Sequence, residues 1–155
     1  MRKGIAVSIV LISLLAVAAG VAVATSRPEL TTARTIRVMA RADHFKEHDF
    51  GPSGPTIGDQ FFLSGALLDQ TKSNEVGRFD VTCALTDTKA QINNCQATFT
   101  LAGGEIVTGG VSENSGAADV DAVYGGTGIY QNARGAVHVG DTTGQFISIV
   151  FRLLP

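Results

Sequence analysis

The sequence contains two cysteines, no tryptophan, no cluster of basic residues and, beyond residue 24, almost no helical periodicity. Each absence removes a class of protein. Two thiols cannot close a four-cysteine zinc site or staple a multi-bridge miniprotein. A formal net charge of −2 without a basic patch leaves no electrostatic footprint for DNA or RNA, so no nucleic-acid partner is expected. There is no G-x-S-x-G nucleophile elbow, no P-loop and no Asn-x-Ser/Thr sequon. Charged residues make up 17% against 45% apolar, which excludes an intrinsically disordered chain. The 155 residues suit one domain, able to bury roughly two thirds of its unfolded surface.

What is present divides the chain in two. Arg2 and Lys3 precede an uncharged apolar run from Ile5 to Ala24, whose second half is small and ends in Ala22-Val23-Ala24. A basic head, an apolar middle and a small-residue exit are the layout of a secretory signal peptide. As a helix the run would span about 30 Å, so if uncleaved it would serve as an anchor. Residues 1–24 are therefore read as a signal peptide or signal anchor, 25–33 as a tether and 34–155 as the folded domain. Positive charge stays inside in both cases. The domain is expected to be secreted or extracytoplasmic, touching a membrane only through residues 5–24.

After Ala24, short runs rich in Val, Ile, Thr and Phe alternate with Gly, Asn and Asp clusters, the signal of an all-β sandwich or barrel. Eight runs are drawn: 35–42, 59–68, 76–86, 94–102, 105–112, 117–124, 134–140 and 145–153. In the third, Phe79, Val81, Cys83 and Leu85 share a face; in the fourth, Cys95, Ala97, Phe99 and Leu101 do. A hairpin that pairs 83 with 95 sets Val81 opposite Ala97 and Phe79 opposite Phe99. Both sulfurs then lie on one apolar face at bridging distance. Export permits that disulfide; the alternative is two buried free thiols. The last run is apolar on both faces, with Ile147, Ile149 and Phe151 alternating with Phe146 and Val150. Barrel closure would cover one face and contact with other subunits the second, which points to a homo-oligomer.

The glycine-rich stretch runs Gly125-Gly126-Thr127-Gly128-Ile129-Tyr130-Gln131-Asn132-Ala133-Arg134-Gly135. Three glycines permit a tight turn with positive φ, Ile129 and Tyr130 follow as an apolar plug, and Gly135 suggests a bulge at the start of the next strand. Gln131 stands where a dinucleotide loop needs its third glycine, and no helix follows.

This stretch resembles the GGTG-x-[FY]-x-x-ARG segment of plant dirigent proteins and the related segment of allene oxide cyclases. His48-Asp49-Phe50-Gly51-Pro52-Ser53-Gly54-Pro55 with Gly58-Asp59, and Phe99-Thr100-Leu101-Ala102-Gly103-Gly104, are similar to segments of bacterial relatives of the cyclases. The resemblance implies an eight-stranded antiparallel barrel, commonly trimeric, whose cavity binds hydrophobic small molecules and steers their cyclisation or coupling. It implies that Arg134 matches a dirigent arginine reaching the cavity and that Cys83 matches a cyclase cavity cysteine. Tyr124 is a candidate for the cavity mouth, and Phe79 and Phe99 for its walls. An arginine inside a small barrel needs an acidic partner; Asp80, Asp119 and Asp121 are candidates by composition.

The departures argue against allene oxide cyclase activity itself. The cyclases carry a carboxylate on the first strand, but Ile36-Arg37-Val38-Met39-Ala40-Arg41-Ala42 has no acid, and the cyclase asparagine falls on Gly65. Without that carboxylate and amide the electrostatic part of the reaction has no visible provider. His44-Phe45-Lys46-Glu47-His48 matches an H-x-x-E-H zinc pattern, which needs a helix and a third ligand; a solvated charged loop at the rim is expected instead. His138 is read as structural. No metal and no cofactor are expected. The reading is a barrel that binds a hydrophobic small molecule, assembles as a trimer or dimer, and steers cyclisation or coupling. The alternative is a non-catalytic lipocalin-like binder or a cell-envelope structural barrel.

Overall fold

The computed structural model describes residues 32–113, 118–143 and 145–155. The expected N-terminal apolar helix and most of the tether lie outside these residues. The β-branched and aromatic runs form eight strands: β1 (Arg34–His48), β2 (Gln60–Leu68), β3 (Glu75–Asp87), β4 (Ile92–Leu101), β5 (Gly104–Glu113), β6 (Asp119–Gly126), β7 (Gly135–Thr143) and β8 (Phe146–Leu153). Each pairs antiparallel with the next, and β8 returns to β1. Closure leaves no sheet edge to aggregate. The expected eight-stranded antiparallel barrel is the fold observed.

The β3–β4 hairpin has the expected register, with Cys83 opposite Cys95, Val81 opposite Ala97 and Phe79 opposite Phe99. Five strand pairs carry register shifts that were not expected, and two of these shifts bear on the site. In β1 the pairing steps from Ala42–Gly65 to His44–Ser64, so Asp43 is the extra residue. In β6 it steps from Val107–Gly125 to Thr108–Val123, so Tyr124 is extra. Gly135, by contrast, sits in regular pairing with Val123 and Leu153. Its glycine is required because φ is +140° and a Cβ would strike the Arg152 carbonyl.

β1 also runs six residues past its expected end. Residues 44–48 pair with Gln60–Ser64 and project beyond the barrel as strand, not as a loop. A strand sets His44 and His48 about 13 Å apart along its axis, whereas a helix would stack them. The zinc pattern therefore has no zinc geometry, and among the described residues no group of three His, Cys, Asp or Glu side chains could hold a metal ion.

Inside, the barrel is filled at one end and hollow at the other. Tyr130 and Ala133, carried by the glycine turn, pack with Val38, Leu67, Ile106, Val137, Phe151 and Leu153 in the filled end. Phe99 meets Phe151 edge to face, with centroids 4.9 Å apart. The turn is locked there by its own backbone: Thr127 N–H donates to the Glu105 carbonyl (2.9 Å), Ile129 N–H to the Gly103 carbonyl (2.9 Å), and Glu105 N–H to Thr127 Oγ1 (3.0 Å).

Candidate functional site

The hollow end holds a cavity of about 180 Å³. Its floor is Phe79, Phe99, Ala97 and Ile149, inward residues of β3, β4 and β8, with Ala40, Leu63, Val81, Val139 and Ile147 as apolar walls. Small side chains at Ala40 and Ala97 leave the room that larger ones would fill. The Cys83–Cys95 disulfide lines the wall as well, its Cα atoms 4.1 Å apart. The bridge removes the thiol that the cyclase likeness assigned to Cys83 and ties β3 to β4 beside the hollow.

One wall is polar. On β5 and β6, Ser112, Asp119 and Asp121 line the cavity. Asp119, Asp121 and Val123 share the inward parity of β6, while Val120, Ala122 and Tyr124 face out. Ser112 Oγ donates to Asp119 Oδ2 at 2.6 Å. The Asp121 carboxylate occupies the space over Gly110, where a Cβ would collide with it. Its Oδ1 is buried and has no hydrogen-bond partner. Burial, then the neighbouring Asp119 carboxylate, pushes the Asp121 carboxyl above the usual carboxylate range. Asn93, paired with Ser112 across β4 and β5 and only 6% exposed, continues this polar arc toward the rim.

Above the cavity the projecting part of β1 helps enclose a second, open hollow of about 500 Å³, lined by Phe45, Glu47, His48, Asp59, Leu85 and Asn93 among others. Phe61 lines both spaces, and Phe45 leans on it with ring centroids 5.9 Å apart. The loop beneath is held by Asp59, which accepts from Thr56 N–H (2.7 Å), Thr56 Oγ1 (2.8 Å) and Phe50 N–H (3.0 Å). These three donors keep the Asp59 carboxyl below the usual carboxylate range.

Of the residues singled out from sequence, Phe79, Phe99, Cys83 and Cys95 meet at the cavity. Arg134 and Tyr124 do not. Arg134 is exposed on the far side of the glycine turn, donating to the Pro155 backbone oxygen at 2.9 Å. Tyr124, the bulged residue of β6, lies outside, 51% exposed, with its ring over Gly109. Asp80 also faces out and pairs with Arg78 at 2.6 Å. The glycines divide the work: Gly128 takes positive φ (+59°), Gly126 lies against the Glu105 and Tyr130 carbonyls, and Gly125 has open space. Sequence reasoning assigned no cavity role to Ser112, Asn93 or Phe61. It considered Asp119 and Asp121 only as partners for Arg134. The available signal was parity with Val123, readable once β6 is known to stay regular up to that residue.

No protein-family model matches the sequence, and no curated protein matches it. Solved structures do. A pyocyanin demethylase is similar at 26% identity with a TM-score of 0.70, over 77% of this chain and 99% of that one. AbnU, an exo-specific intermolecular Diels-Alderase, is similar at 13% identity and TM-score 0.63, over 79% and 98%. The pterocarpan synthase dirigent protein GePTS1 is similar at 14% identity and TM-score 0.60, over 79% and 88%. With its closed ring of eight strands, its glycine turn plugging one end and these likenesses, the chain is by fold an allene oxide cyclase/dirigent-like barrel.

Proposed function

We propose that the barrel binds a hydrophobic small molecule in its hollow end and steers the cyclisation or coupling of that molecule. The observation that carries this reading is the one-sided cavity: apolar on β1–β4, β7 and β8, with a carboxylate arc on β5 and β6. A cavity of about 150 Å³ is enough for benzene, so 180 Å³ encloses one ring or a folded chain of similar bulk. The rest of a larger molecule has the rim hollow, reached past Phe61. Fixed walls restrict a flexible substrate to few conformers, and holding reacting atoms near contact lowers the entropic part of the barrier. The carboxylates face the space where positive charge would develop, a role that first-strand acids do not supply here.

The names of the similar structures support this reading, since they include a Diels-Alderase and a dirigent protein. The disulfide fits an oxidising compartment and so supports export. Assembly into a homo-oligomer is part of the same proposal: Val111, Val120 and Tyr124 are exposed together on the outer face of β5 and β6. The test is incubation of the purified full chain with tethered and untethered diene–dienophile pairs of one-ring size. The expected result is a shifted product distribution at substoichiometric protein, abolished by Ala97→Phe. Tight binding with an unchanged distribution would make the protein a carrier, and no binding would refute the cavity.

A further inference from the structure

Among the described residues two buried polar side-chain atoms have no partner, and of the two residues only Asp121 lines the cavity. Asp121 Oδ1 is buried and accepts nothing. Thr108 is 0% exposed, and its Oγ1 has no partner either. Thr108 shares the inward face of β5 with Gly110, on which the Asp121 carboxylate rests. The other two polar groups of the wall are already engaged, Ser112 with Asp119. Among the described residues no Lys, Arg or His lines the cavity. Among the described side chains, the titratable group that faces Asp121 is Asp119. Glu105 and Glu113 on β5 and His138 on β7 carry the parity of the outer face.

A carboxylate in an apolar cavity is relieved by protonation or by a partner that brings positive charge or hydrogen-bond donors. Among the described cavity-lining residues none brings a positive charge. Deepening the reading of this cavity as a ligand site, on which the inference rests, we propose that it selects a compact apolar molecule carrying a protonated nitrogen, the N–H groups donating to the Asp121 carboxylate, which lines the cavity beside Asp119. The size of the cavity limits the enclosed part to about one ring. A neutral ligand of equal shape would leave the Asp121 charge unanswered.

The raised Asp121 carboxyl gives this a pH signature. At low pH the group is protonated and the ammonium gains little. As pH rises through its elevated range the carboxylate forms and affinity for the cation increases. A neutral ligand shows no such rise.

The experiment is a calorimetric titration of the purified full chain with benzylammonium and with benzyl alcohol, from about pH 4 to pH 7, where benzylammonium stays charged. The expected result is about tenfold tighter binding of benzylammonium near pH 7, a preference that shrinks as pH falls and is lost in Asp121→Asn. The wild-type pH dependence needs no variant, so a misfolded Asp121→Asn would not shelter the proposal. Equal binding of the two ligands at pH 7, or a preference flat in pH, overturns the ligand class and leaves the cavity reading standing. Failure of both ligands to bind overturns the inference and counts against the cavity as well.

Discussion

Gly125, Gly126 and Gly128 belong to one motif and carry three different constraints. Gly128 has φ +59°, where an L side chain costs about 1–2 kcal/mol, and its Cβ would also strike the Gly103 carbonyl. Gly126 has ordinary backbone geometry but would push a Cβ onto the Glu105 and Tyr130 carbonyls. Gly125 has nothing within 4 Å. Alanine is therefore expected to cost at least about 2 kcal/mol at Gly126 and at Gly128, and less than about 0.5 kcal/mol at Gly125. Urea denaturation of the three variants checks the order; a Gly125→Ala as damaging as the other two would contradict this account of the turn. The motif was legible as a turn because glycine is the residue that tolerates both demands. Which glycine meets which demand was not, because that depends on the Gly103–Glu105 backbone, contributed by the preceding hairpin. Asp121 illustrates the same limit. Its parity with Val123 marks it as inward, but its packing is set by Gly110 on the neighbouring strand.

At the level of elements, the register that sets Cys83 opposite Cys95 was readable from parity, and the bridge from that register together with the expected export. Two cysteines twelve residues apart, each in phase with apolar neighbours, define the register of their own hairpin. The chain-entropy argument for a loop of this length gives about 3 kcal/mol. Reduction, or the double variant Cys83→Ala with Cys95→Ala, is expected to lower unfolding free energy by about that amount in urea. An unchanged midpoint under reductant would show that β3 and β4 hold without the bridge. The bulges at Asp43 and Tyr124 left no such mark. Each is a mismatch between two consecutive strands that the alternation of neither strand records. The Tyr124 bulge shifts the register of Gly125 and Gly126 as they enter the glycine turn, while Tyr124 keeps the outward parity of Val120 and Ala122. Opposite the Asp43 bulge, Gly65 is pressed against the Arg41 carbonyl and Asp43 N–H. This position aligns with a cyclase asparagine and here has room for no side chain. Residues 44–48 carry charge and histidine and read as a loop. They are strand because Gln60–Ser64 supply the hydrogen-bonding partner, and pairing outweighs propensity.

For the whole molecule, carboxyl groups shifted in opposite directions set the response to pH. Asp59 and Asp69 are held below the usual range by hydrogen bonds, Asp69 by Thr71 Oγ1 and Asn74 Nδ2, each at 2.7 Å. Their contribution is present above the unfolded carboxylate range, near pH 4, and is lost as pH falls through their lowered folded values. Asp121 runs the other way: its folded value is raised, so its ionisation penalises the folded state as pH climbs above about 4. Thermal melts from about pH 2.5 to pH 7 are expected to show acid destabilisation that Asp59→Asn and Asp69→Asn flatten. Asp121→Asn is expected to gain relative to wild type at pH 7 and lose that gain near pH 4. No pH dependence of the difference would place the Asp121 carboxylate in solvent, and the reverse order would mean that the fold stabilises its ionised form. A cavity variant completes the set. Ala97→Phe, projecting into empty space, is expected to cost about 1–3 kcal/mol at most and to abolish ligand binding measured by calorimetry. Unimpaired binding would put the ligand elsewhere.

By itself the sequence determined an all-β chain of short strands, a hairpin register that sets two cysteines opposite each other and a glycine turn, while closure into a ring was what the family resemblance implied. Period-two alternation, cysteine phase and glycine permissiveness are local properties, and each is written in neighbouring residues. Only the tertiary structure decided that Arg134 and Tyr124 stand outside and that Asp119 and Asp121 stand within. An inward position is defined by pairing across the whole ring, and a single extra residue on one strand reverses it.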